Sequence, residues 1–474
     1  MFTSESLLAA THGRVVHGPL PASFLGAATD SRQVRPGDLF VALRGEVMDG
    51  HHFIPAAAAS GASAILCAQA DTSVTTPQVV VADPLAAFHA LARAHVAGMS
   101  ARIIAVAGSN GKTSTKEAIA HLLEKLGPTH RTIGNLNTET GVPICLLQIE
   151  PWHRFAVIEM GAQRTGEVAL LCTIAPPSIG VVTVVGPEHL EFFGDMAHII
   201  EAEGEVIDAL APEALAVLNA DDPDVRAMRA RHQGPTLLYG RDPRADVRAL
   251  RPGGDTLSGR SFTLRIGKES ARVRLRLPGE HAISTALAAA TVAHRCGMSV
   301  PRIARALGEL CPASRRGEVK RGVTGFTLVD DSYNANRQSA EAAIQTLAGA
   351  RLRSGGRRWF VFGDMLELGA HSPVEHAGVG AVAAQAHLDE LVLVGEDTAH
   401  TADAALAAGM PARDVRYFAA RRADAAAMTT ARQAAAAYVC ERAGPADVVL
   451  VKGSLGTGMG AVVAALTGEA EADH

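Results

Sequence analysis

The clearest hydrophobic pattern in the chain lies between residues 102 and 126. A short apolar run at 103–107 comes first, and a polar loop with two glycines follows at 108–113. After the loop, apolar residues return at the 3.6-residue spacing of a helix with one buried face: Ala118, Ile119, Leu122, Leu123 and Leu126. This order predicts a buried strand, a tight loop and an amphipathic helix.

Apolar runs of strand length continue through the rest of the chain. They occupy residues 155–159, 179–185, 215–219, 326–330, 358–362, 391–394, 415–418 and 448–451. Strands buried on both faces are continuously apolar, and strands that alternate with helical segments are typical of doubly wound parallel sheets. The pattern therefore predicts an α/β fold with two such sheets, one in the middle of the chain and one near its end. We expect three segments, 1–99, 100–312 and 313–474.

The loop from Gly108 to Thr113, Gly-Ser-Asn-Gly-Lys-Thr, has the residue types of a phosphate-binding loop. Its glycines let backbone N–H groups approach a polyphosphate, and the following helix N-terminus adds partial positive charge. Lys112 can reach the terminal phosphates, and the Thr113 hydroxyl can bind Mg²⁺. The general motif has a further glycine where this chain has Val106, and an ordinary glycine-rich turn is the alternative. A nucleoside triphosphate is the expected ligand.

Polar residues also follow the next two predicted strands. Glu159 ends one of them, and His189 and Glu191 follow the other. Ligands of open α/β sheets gather at the carboxyl ends of the strands, where a carboxylate can hold the Mg²⁺ that bridges nucleotide phosphates. A solvated glutamate and a structural histidine are the alternatives, but the position of His189 one strand from Glu159 favours a site.

Later in the chain, further polar residues are candidates for a site. His281 lies near a predicted helix start, where it either contacts a base or ribose or caps the helix. A strand ending at Asp331 is followed by Asn334, in a polar cluster that forms either a site or an Asx turn. The next strand leads to Asp364 and Glu367 in the same way.

Near the N-terminus, polar residues concentrate around the turns of segment 29–53. They are Ser31, Arg32, Arg44, Asp49 and His51. Arginine suits a diphosphate, because its donors are forked and permanently charged. Surface turn chemistry is the alternative.

Composition narrows the classes of function. The net charge is −5 and there is no basic tract, which argues against nucleic acid as the main partner. No run of 18 apolar residues suggests a membrane span, and the first residues lack the features of a signal peptide. The six cysteines have no CxxC spacing, so we expect reduced thiols in a cytoplasmic protein.

Eight motifs together resemble the Mur ligase family over about residues 25–455. In chain order they are TDSRQVRPGDLFVALRGEVMDGH, AGSNGKTSTKE, GNLNTETGVP, VIEMGA, GPEHLE, LNADDP, DDSYNAN and GDMLELG. The resemblance implies a three-domain α/β architecture. Its N-terminal domain would bind a UDP-sugar peptide, its central domain would be a P-loop-type parallel-sheet ATPase, and its C-terminal domain would be Rossmann-like.

The resemblance also implies an ADP-forming amide ligase that uses ATP and Mg²⁺ and passes through an acyl phosphate. DDSYNAN and GDMLELG are the specific motifs, and they imply UDP-N-acetylmuramoyl-tripeptide and D-alanyl-D-alanine as substrates, in peptidoglycan precursor synthesis. A monomer is expected. The alternatives are a ligase of this type with a different carboxylate or amine substrate, and an inactive nucleotide-binding protein.

By matching positions, the resemblance implies a role for each candidate residue. The catalytic residues would be Lys112, Glu159, His189 and Glu203, and the metal ligands would be Thr113, Glu159 and His189. The nucleotide would contact Gly108, Ser109, Asn110, Gly111, Lys112, Thr113, Ser114, His281, Arg316, Asp331 and Asn334. The peptide substrate would contact Ser31, Arg32, Arg44, His51, Asn137 and Thr138.

Four positions depart from the family pattern. Glu203 stands where the family has a carbamylated lysine, so it supplies a carboxylate that would support the second Mg²⁺, through water or directly; a solvated helix residue is the alternative. Thr285 replaces an asparagine, Arg337 a proline and Leu455 an arginine. The changes at 285 and 455 affect positions expected to contact nucleotide and substrate.

Overall fold

The computed structural model describes residues 1–45 and 48–469, which form three α/β domains. The first contains strands β1 (Phe2–Thr3), β2 (Arg14–Val16), β3 (Ser23–Phe24), β4 (Gly26–Ala28), β5 (Asp38–Val41), β6 (Ala64–Cys67) and β7 (Gln78–Val80). Its helices are α1 (Ser4–Thr11), α2 (Ile54–Ala59) and α3 (Pro84–Ala97). Its main sheet has the order β2-β7-β6-β5-β4, in which only β2 is antiparallel to its neighbour.

The central domain is built on a nine-stranded sheet. Its strands are β8 (Arg102–Ala107), β9 (Thr129–Arg131), β10 (Phe155–Glu159), β11 (Ile179–Val182), β12 (Leu215–Asn219), β13 (Thr236–Gly240), β14 (Val247–Asp255), β15 (Gly259–Ile266) and β16 (Glu269–Arg274). Its helices are α4 (Lys112–Glu124), α5 (Gly141–Leu146), α6 (Glu167–Ile174), α7 (Leu190–Phe193), α8 (Met196–Asp208), α9 (Pro223–Ala227), α10 (His281–Arg295) and α11 (Val300–Leu307).

The strand order of this sheet places β8 in its interior, between β10 and β11. The order is β16-β15-β14-β13-β12-β11-β8-β10-β9, parallel from β9 to β14 and antiparallel over the last three strands. Because β8 lies between β10 and β11, the loops after these three strands meet at one carboxyl edge.

The third domain has a six-stranded sheet. Its strands are β17 (Glu318–Arg321), β18 (Thr327–Asp331), β19 (Arg358–Gly363), β20 (Glu390–Gly395), β21 (Val415–Ala419) and β22 (Val448–Lys452), in the order β17-β18-β22-β19-β20-β21. Only β17 is antiparallel. The helices are α12 (Arg337–Ala348), α13 (Ser372–Gln385), α14 (Thr398–Ala407), α15 (Ala425–Arg442) and α16 (Gly460–Thr467). The predicted α/β class, with two mainly parallel sheets in the middle and end of the chain, is confirmed.

The core runs continuously from the central domain into the third. One apolar cluster contains Ile103 and Ala105 of β8 together with Ile344 of α12 and Phe360 of β19, all at most 5% exposed. The opposite face of β8, with Ile104 and Val106, packs in a separate cluster with α4 and α10. Alternating side chains of one strand thus bury against two layers of helices, which fixes the loop that follows β8.

No helix among residues 1–45 and 48–469 is long and apolar enough to cross a membrane.

Candidate functional site

The loop between β8 and α4 has backbone conformations that require glycine. Gly108 has φ +122°, and a Cβ at this position would lie 2.2 Å from the Thr183 hydroxyl of the neighbouring strand's loop. Gly111, immediately before α4, has φ +80°. Side chains would strain the loop at both positions and would block close approach at the first. The predicted strand, loop and helix are confirmed.

Lys112 is the first residue of α4, directly after this loop, and is surrounded by acceptors. Its ammonium group donates to the Gly108 and Ser109 carbonyl oxygens and lies 2.9 Å from Glu188 Oε1. Burial alone lowers the pKa of Lys112, but Glu188 and Glu203 outweigh it and raise the pKa. Lys112 therefore remains a cation at the carboxyl ends of β8, β10 and β11.

Glu203 is buried beneath the loop, at 2% exposure on α8. Its Oε2 accepts a hydrogen bond from the Gly108 N–H, and its Oε1 lies 4.0 Å from Lys112 Nζ. Burial raises the pKa of this carboxyl group to about 7, although Lys112 acts to lower it. The alternative of a solvated Glu203 is therefore wrong.

Glu159 ends β10, and its side chain contacts groups of two other segments, α4 and the loop that contains Asn137. Its Oε1 accepts from the Thr113 hydroxyl at 3.2 Å and from Asn137 Nδ2 at 2.9 Å. Its Oε2 is buried without a hydrogen-bond partner and lies 3.6 Å from Lys116 Nζ. A carboxyl group beside a hydroxyl is a donor set of the kind that Mg²⁺ prefers.

Lys116 is a functional candidate that the sequence argument missed. It is 1% exposed on α4, and its ammonium group donates to the Thr132 carbonyl oxygen at 2.7 Å. A lysine one turn after Lys112, among apolar residues on the buried face of the predicted helix, was the available signal.

His189 stands at the end of the loop after β11, with φ +52°. Its Nδ1 forms a hydrogen bond with Oε2 of Glu367, which belongs to the third domain. Burial lowers the pKa of His189, but the hydrogen bond to Glu367 more than compensates, so the pKa is raised overall. Glu367 is thus part of the edge, whereas Asp364 accepts from backbone N–H groups of Glu396 and Thr398 inside the third domain.

The third domain adds charged residues from the segment before β17 and from the ends of β18 and β22. The Arg316 guanidinium lies 4.1 Å from the centre of the Tyr333 ring, in a cation–π contact. Lys452, which is 3% exposed, donates to Asp331 Oδ2 at 2.7 Å and to the Asn334 carbonyl oxygen at 2.9 Å. Lys452 was not predicted as a site residue, although its position directly after the predicted strand 448–451 was a signal.

A cavity of about 840 Å³ joins these groups across the two domains. The predicted site residues that line it are Ser109, Asn110, Gly111, Lys112, Thr113, Ser114, Asn137, Thr138, Glu159, His189, His281, Arg316, Asp331 and Asn334. A second cavity of about 280 Å³ lies beside it and shares Ser114, His281, Thr285 and Arg316 with it. Residues separated by more than 300 positions thus form one surface.

Direct hydrogen bonds hold the phosphate loop against the third domain. Asn110 donates from its Nδ2 to Gln338 Oε1 at 2.8 Å and accepts at its Oδ1 from Asn336 Nδ2 at 2.9 Å. The structure therefore represents a closed arrangement of these two domains.

The predicted residues of the first domain do not line this cavity. Arg32 pairs with Asp30, and Arg44 pairs with Asp49 at 3.0 Å. His51 Nδ1 lies 2.6 Å from the same Asp49, while its Nε2 accepts from the Ala68 N–H. Ser31 is buried at 8% exposure. Arg32, Arg44 and His51 thus have partners within the first domain, and contact of these four residues with a substrate stays a prediction.

Among the described residues, no group of three or more His, Cys, Asp or Glu side chains converges as a metal site. Mg²⁺, however, takes one or two protein carboxylates and completes its shell with water and substrate phosphates. Glu159, whose Oε2 accepts no hydrogen bond, and the Thr113 hydroxyl fit that requirement.

Comparison with known proteins gives a consistent result over nearly the whole chain. Three family models match: "Mur ligase family, catalytic domain" at residues 24–102, "Mur ligase middle domain" at 106–293, and "Mur ligase, glutamate ligase domain" at 315–455.

Curated relatives carry the name UDP-N-acetylmuramoyl-tripeptide–D-alanyl-D-alanine ligase. The protein from Mycobacterium tuberculosis strain H37Rv is 37% identical over 93% of this chain and 91% of its own length. That from Escherichia coli K12 is 37% identical over 78% of this chain and 81% of its own length.

Among solved structures, MurF from Acinetobacter baumannii superimposes with a TM-score of 0.86 at 29% identity and covers 98% of both chains. MurF from Thermotoga maritima, in complex with ADP, gives a TM-score of 0.79 at 28% identity, over 93% of this chain and 96% of its own.

Proposed function

The chain belongs to the Mur ligase family, and we propose that it joins D-alanyl-D-alanine to UDP-N-acetylmuramoyl-tripeptide in an ATP-dependent, ADP-forming reaction. The product would be a precursor of peptidoglycan. The substrates come from the names of the curated relatives, and the chemistry follows from the cavity between the central and third domains.

ATP would lie along the phosphate loop. The glycine conformations at 108 and 111 open the backbone to the phosphates, and the start of α4 supplies aligned N–H groups. On the other side of the cavity, Arg316 and Asp331 would reach the nucleotide from the third domain. The second cavity, which His281 lines, provides further space next to the phosphate loop.

Mg²⁺ would be held by Thr113 and Glu159, with His189 at a second position. When bound, the ion neutralises phosphate charge and so lowers the repulsion between the two anions that react. Asn137 keeps the Glu159 carboxyl group in place by donating to Oε1, whereas Oε2 accepts no hydrogen bond.

The reaction would proceed in two steps. The terminal carboxylate of the tripeptide attacks the γ-phosphorus of ATP, ADP leaves, and an acyl phosphate forms. The amine of D-alanyl-D-alanine then attacks the acyl carbon, inorganic phosphate leaves, and the nitrogen loses a proton as the amide forms. Phosphorylation is needed because an unmodified carboxylate has no good leaving group.

Lys112 is the residue that would stabilise the first transition state. Its ammonium group remains charged because Glu188 and Glu203 favour the protonated form. A fixed cation in a site that excludes water stabilises charge that develops during phosphoryl transfer far better than it would in solvent. Asn137 and Thr138 line the same cavity and would contact the acceptor carboxylate.

The observation that carries the proposal is the single cavity that joins Lys112 and Glu159 of the central domain to Asp331 and Arg316 of the third. The test is release of inorganic phosphate by the full chain with ATP and Mg²⁺. We expect release only with UDP-N-acetylmuramoyl-tripeptide and D-alanyl-D-alanine together, and a product that contains both. Release with a folate acceptor, or with a single amino acid in place of the dipeptide, would overturn the assignment of substrates.

A cytoplasmic location and a monomeric state remain predictions. Gel filtration with light scattering on the purified chain measures the second directly.

A further inference from the structure

Glu367 crosses the boundary between the third and central domains with three contacts. Its backbone carbonyl oxygen accepts from the Glu191 N–H at 3.1 Å. Its Oε1 lies 3.5 Å from Gln163 Nε2, and its Oε2 forms the hydrogen bond with His189 Nδ1. All three partners belong to the central domain, so this one residue ties the loop after β19 to the edge formed by β10 and β11.

The backbone of Glu367 is held in an unfavourable conformation. Its φ is +61°, in the left-handed region that residues with a Cβ rarely occupy. Such a conformation persists only where the surroundings enforce it, and it clusters at functional sites. Here the enforcing contacts include Gly369, at which a Cβ would lie 3.4 Å from Glu191, so the loop packs closely on the central domain.

The contact has a direct consequence for the imidazole of His189. A carboxylate next to Nδ1 accepts a hydrogen bond from Nδ1–H, so in the neutral ring Nε2 is the nitrogen without a proton. His189 lines the cavity beside Lys112. A histidine oriented through one nitrogen by a carboxylate is the usual arrangement of a ring that uses its other nitrogen.

We propose that Glu367 is a positioning residue: when the third domain closes, it sets the ring orientation and the Nδ1–H tautomer of His189, so that Nε2 faces the reaction cavity. The inference rests on the proposed function, because it assigns His189 to the site of that reaction. It also makes the assembly of the central domain's site depend on closure of the third domain.

The test compares the full-length wild-type protein with Glu367→Gln and Glu367→Ala, each saturated with ADP and Mg²⁺. The tautomer of His189 is read from nitrogen-15 NMR of histidine-labelled protein, at an alkaline pH at which the ring is neutral, with His189→Asn used to assign its signals. Wild type should show the Nδ1–H form. Glu367→Ala should lose it, and Glu367→Gln should retain it, because the amide oxygen still accepts from Nδ1–H.

Kinetics provide the second measurement. We expect kcat of Glu367→Ala to fall about 10–100-fold, the usual effect of removing a group that orients a ligand, with KM for ATP nearly unchanged. Glu367→Gln should restore most of the loss. Glu396→Ala, an exposed glutamate after β20 in the same domain, is the matched control and should behave as wild type.

Two results would overturn the inference: an unchanged His189 tautomer in Glu367→Ala, or a kcat of that variant equal to wild type. ADP binding, measured by calorimetry, separates this failure from failure of the proposed function. If the wild-type protein does not bind ADP, the proposed function is contradicted. If it binds ADP and the His189 tautomer is unaltered in Glu367→Ala, only the role of Glu367 is contradicted.

Discussion

Replacement of Glu203 by glutamine measures what a buried carboxylate does to the stability of this protein. Glu203 is 2% exposed under the phosphate loop, and burial raises its pKa from 4.5 to about 7. A difference of that size corresponds to roughly 3 kcal/mol, because each pKa unit is worth about 1.4 kcal/mol.

The sign follows from which state holds the proton more tightly. Below pH 4.5 the carboxyl group is protonated in both folded and unfolded protein, so its contribution to stability is fully present. As the pH rises, the unfolded chain releases the proton first, and the contribution is lost by about pH 7, the pKa in the folded protein. Glutamine has no proton to lose and keeps an oxygen that accepts from the Gly108 N–H.

Wild type and Glu203→Gln should therefore be about equally stable near pH 4.5, and the variant should be more stable by about 3 kcal/mol at pH 8. If the central domain unfolds as one cooperative unit of about 150–250 residues, that difference corresponds to roughly 6–12 °C in the midpoint of thermal unfolding. Scanning calorimetry of the ligand-free full chain at several pH values is the assay. Glu201→Gln, an exposed position on the same helix, is the matched control and should shift stability by less than about 0.5 kcal/mol.

Equal midpoints for wild type and Glu203→Gln at pH 8 would refute the argument that burial dominates at this site. A stabilisation larger at pH 4.5 than at pH 8 would refute the assigned direction of the pKa change. If Glu203 also supports the metal, as the family resemblance implies, the more stable variant will be the slower enzyme, a trade-off common at active sites.

Two further predictions follow from the same edge of the sheet. Lys112→Ala should lower ADP formation about 10²–10³-fold and leave binding of the UDP-sugar peptide, measured by calorimetry, nearly intact; a variant that keeps more than half of the activity would contradict the role of this cation. We expect the ligands to favour the arrangement in which Asn110 bonds to Asn336 and Gln338 across the domain boundary, so small-angle scattering should give a smaller radius of gyration with an ATP analogue and acceptor than without them. Identical profiles would count against ligand-driven closure.

The sequence predicted the phosphate loop because its geometry is local. An apolar strand, two glycines and an amphipathic helix follow one another without interruption, and the positive φ values of Gly108 and Gly111 are properties of the loop itself. The strand ends that carry Glu159 and Asp331 were also predictable, since parallel sheets collect the carboxyl ends of their strands at one edge.

The partners of these residues could not be predicted in the same way. Glu203 lies 95 residues from Gly108, and Glu367 lies 178 residues from His189, so no spacing along the chain relates them. The same holds for Lys452, whose contact with Asp331 depends on β22 being inserted beside β18 in the sheet. Strand order is set by the packing of whole domains.

The first domain shows a further difference between sequence and structure. Arg44 has the right chemistry for a diphosphate and His51 was predicted beside it, but in the structure both contact Asp49. Residue type indicates what a side chain is able to bind, whereas its neighbours determine what it contacts.

The sequence by itself determined the α/β class, the phosphate loop and most of the polar groups at the strand ends, because each depends on hydrophobic periodicity and turn chemistry within a few residues. Only the tertiary structure decided that Glu203 is buried under the loop, that Lys112 lies between carboxylates, and that the third domain reaches His189 through Glu367. Those features depend on which distant segments share a core, and burial then sets the charges, pKa values and ring orientations on which the proposed chemistry depends.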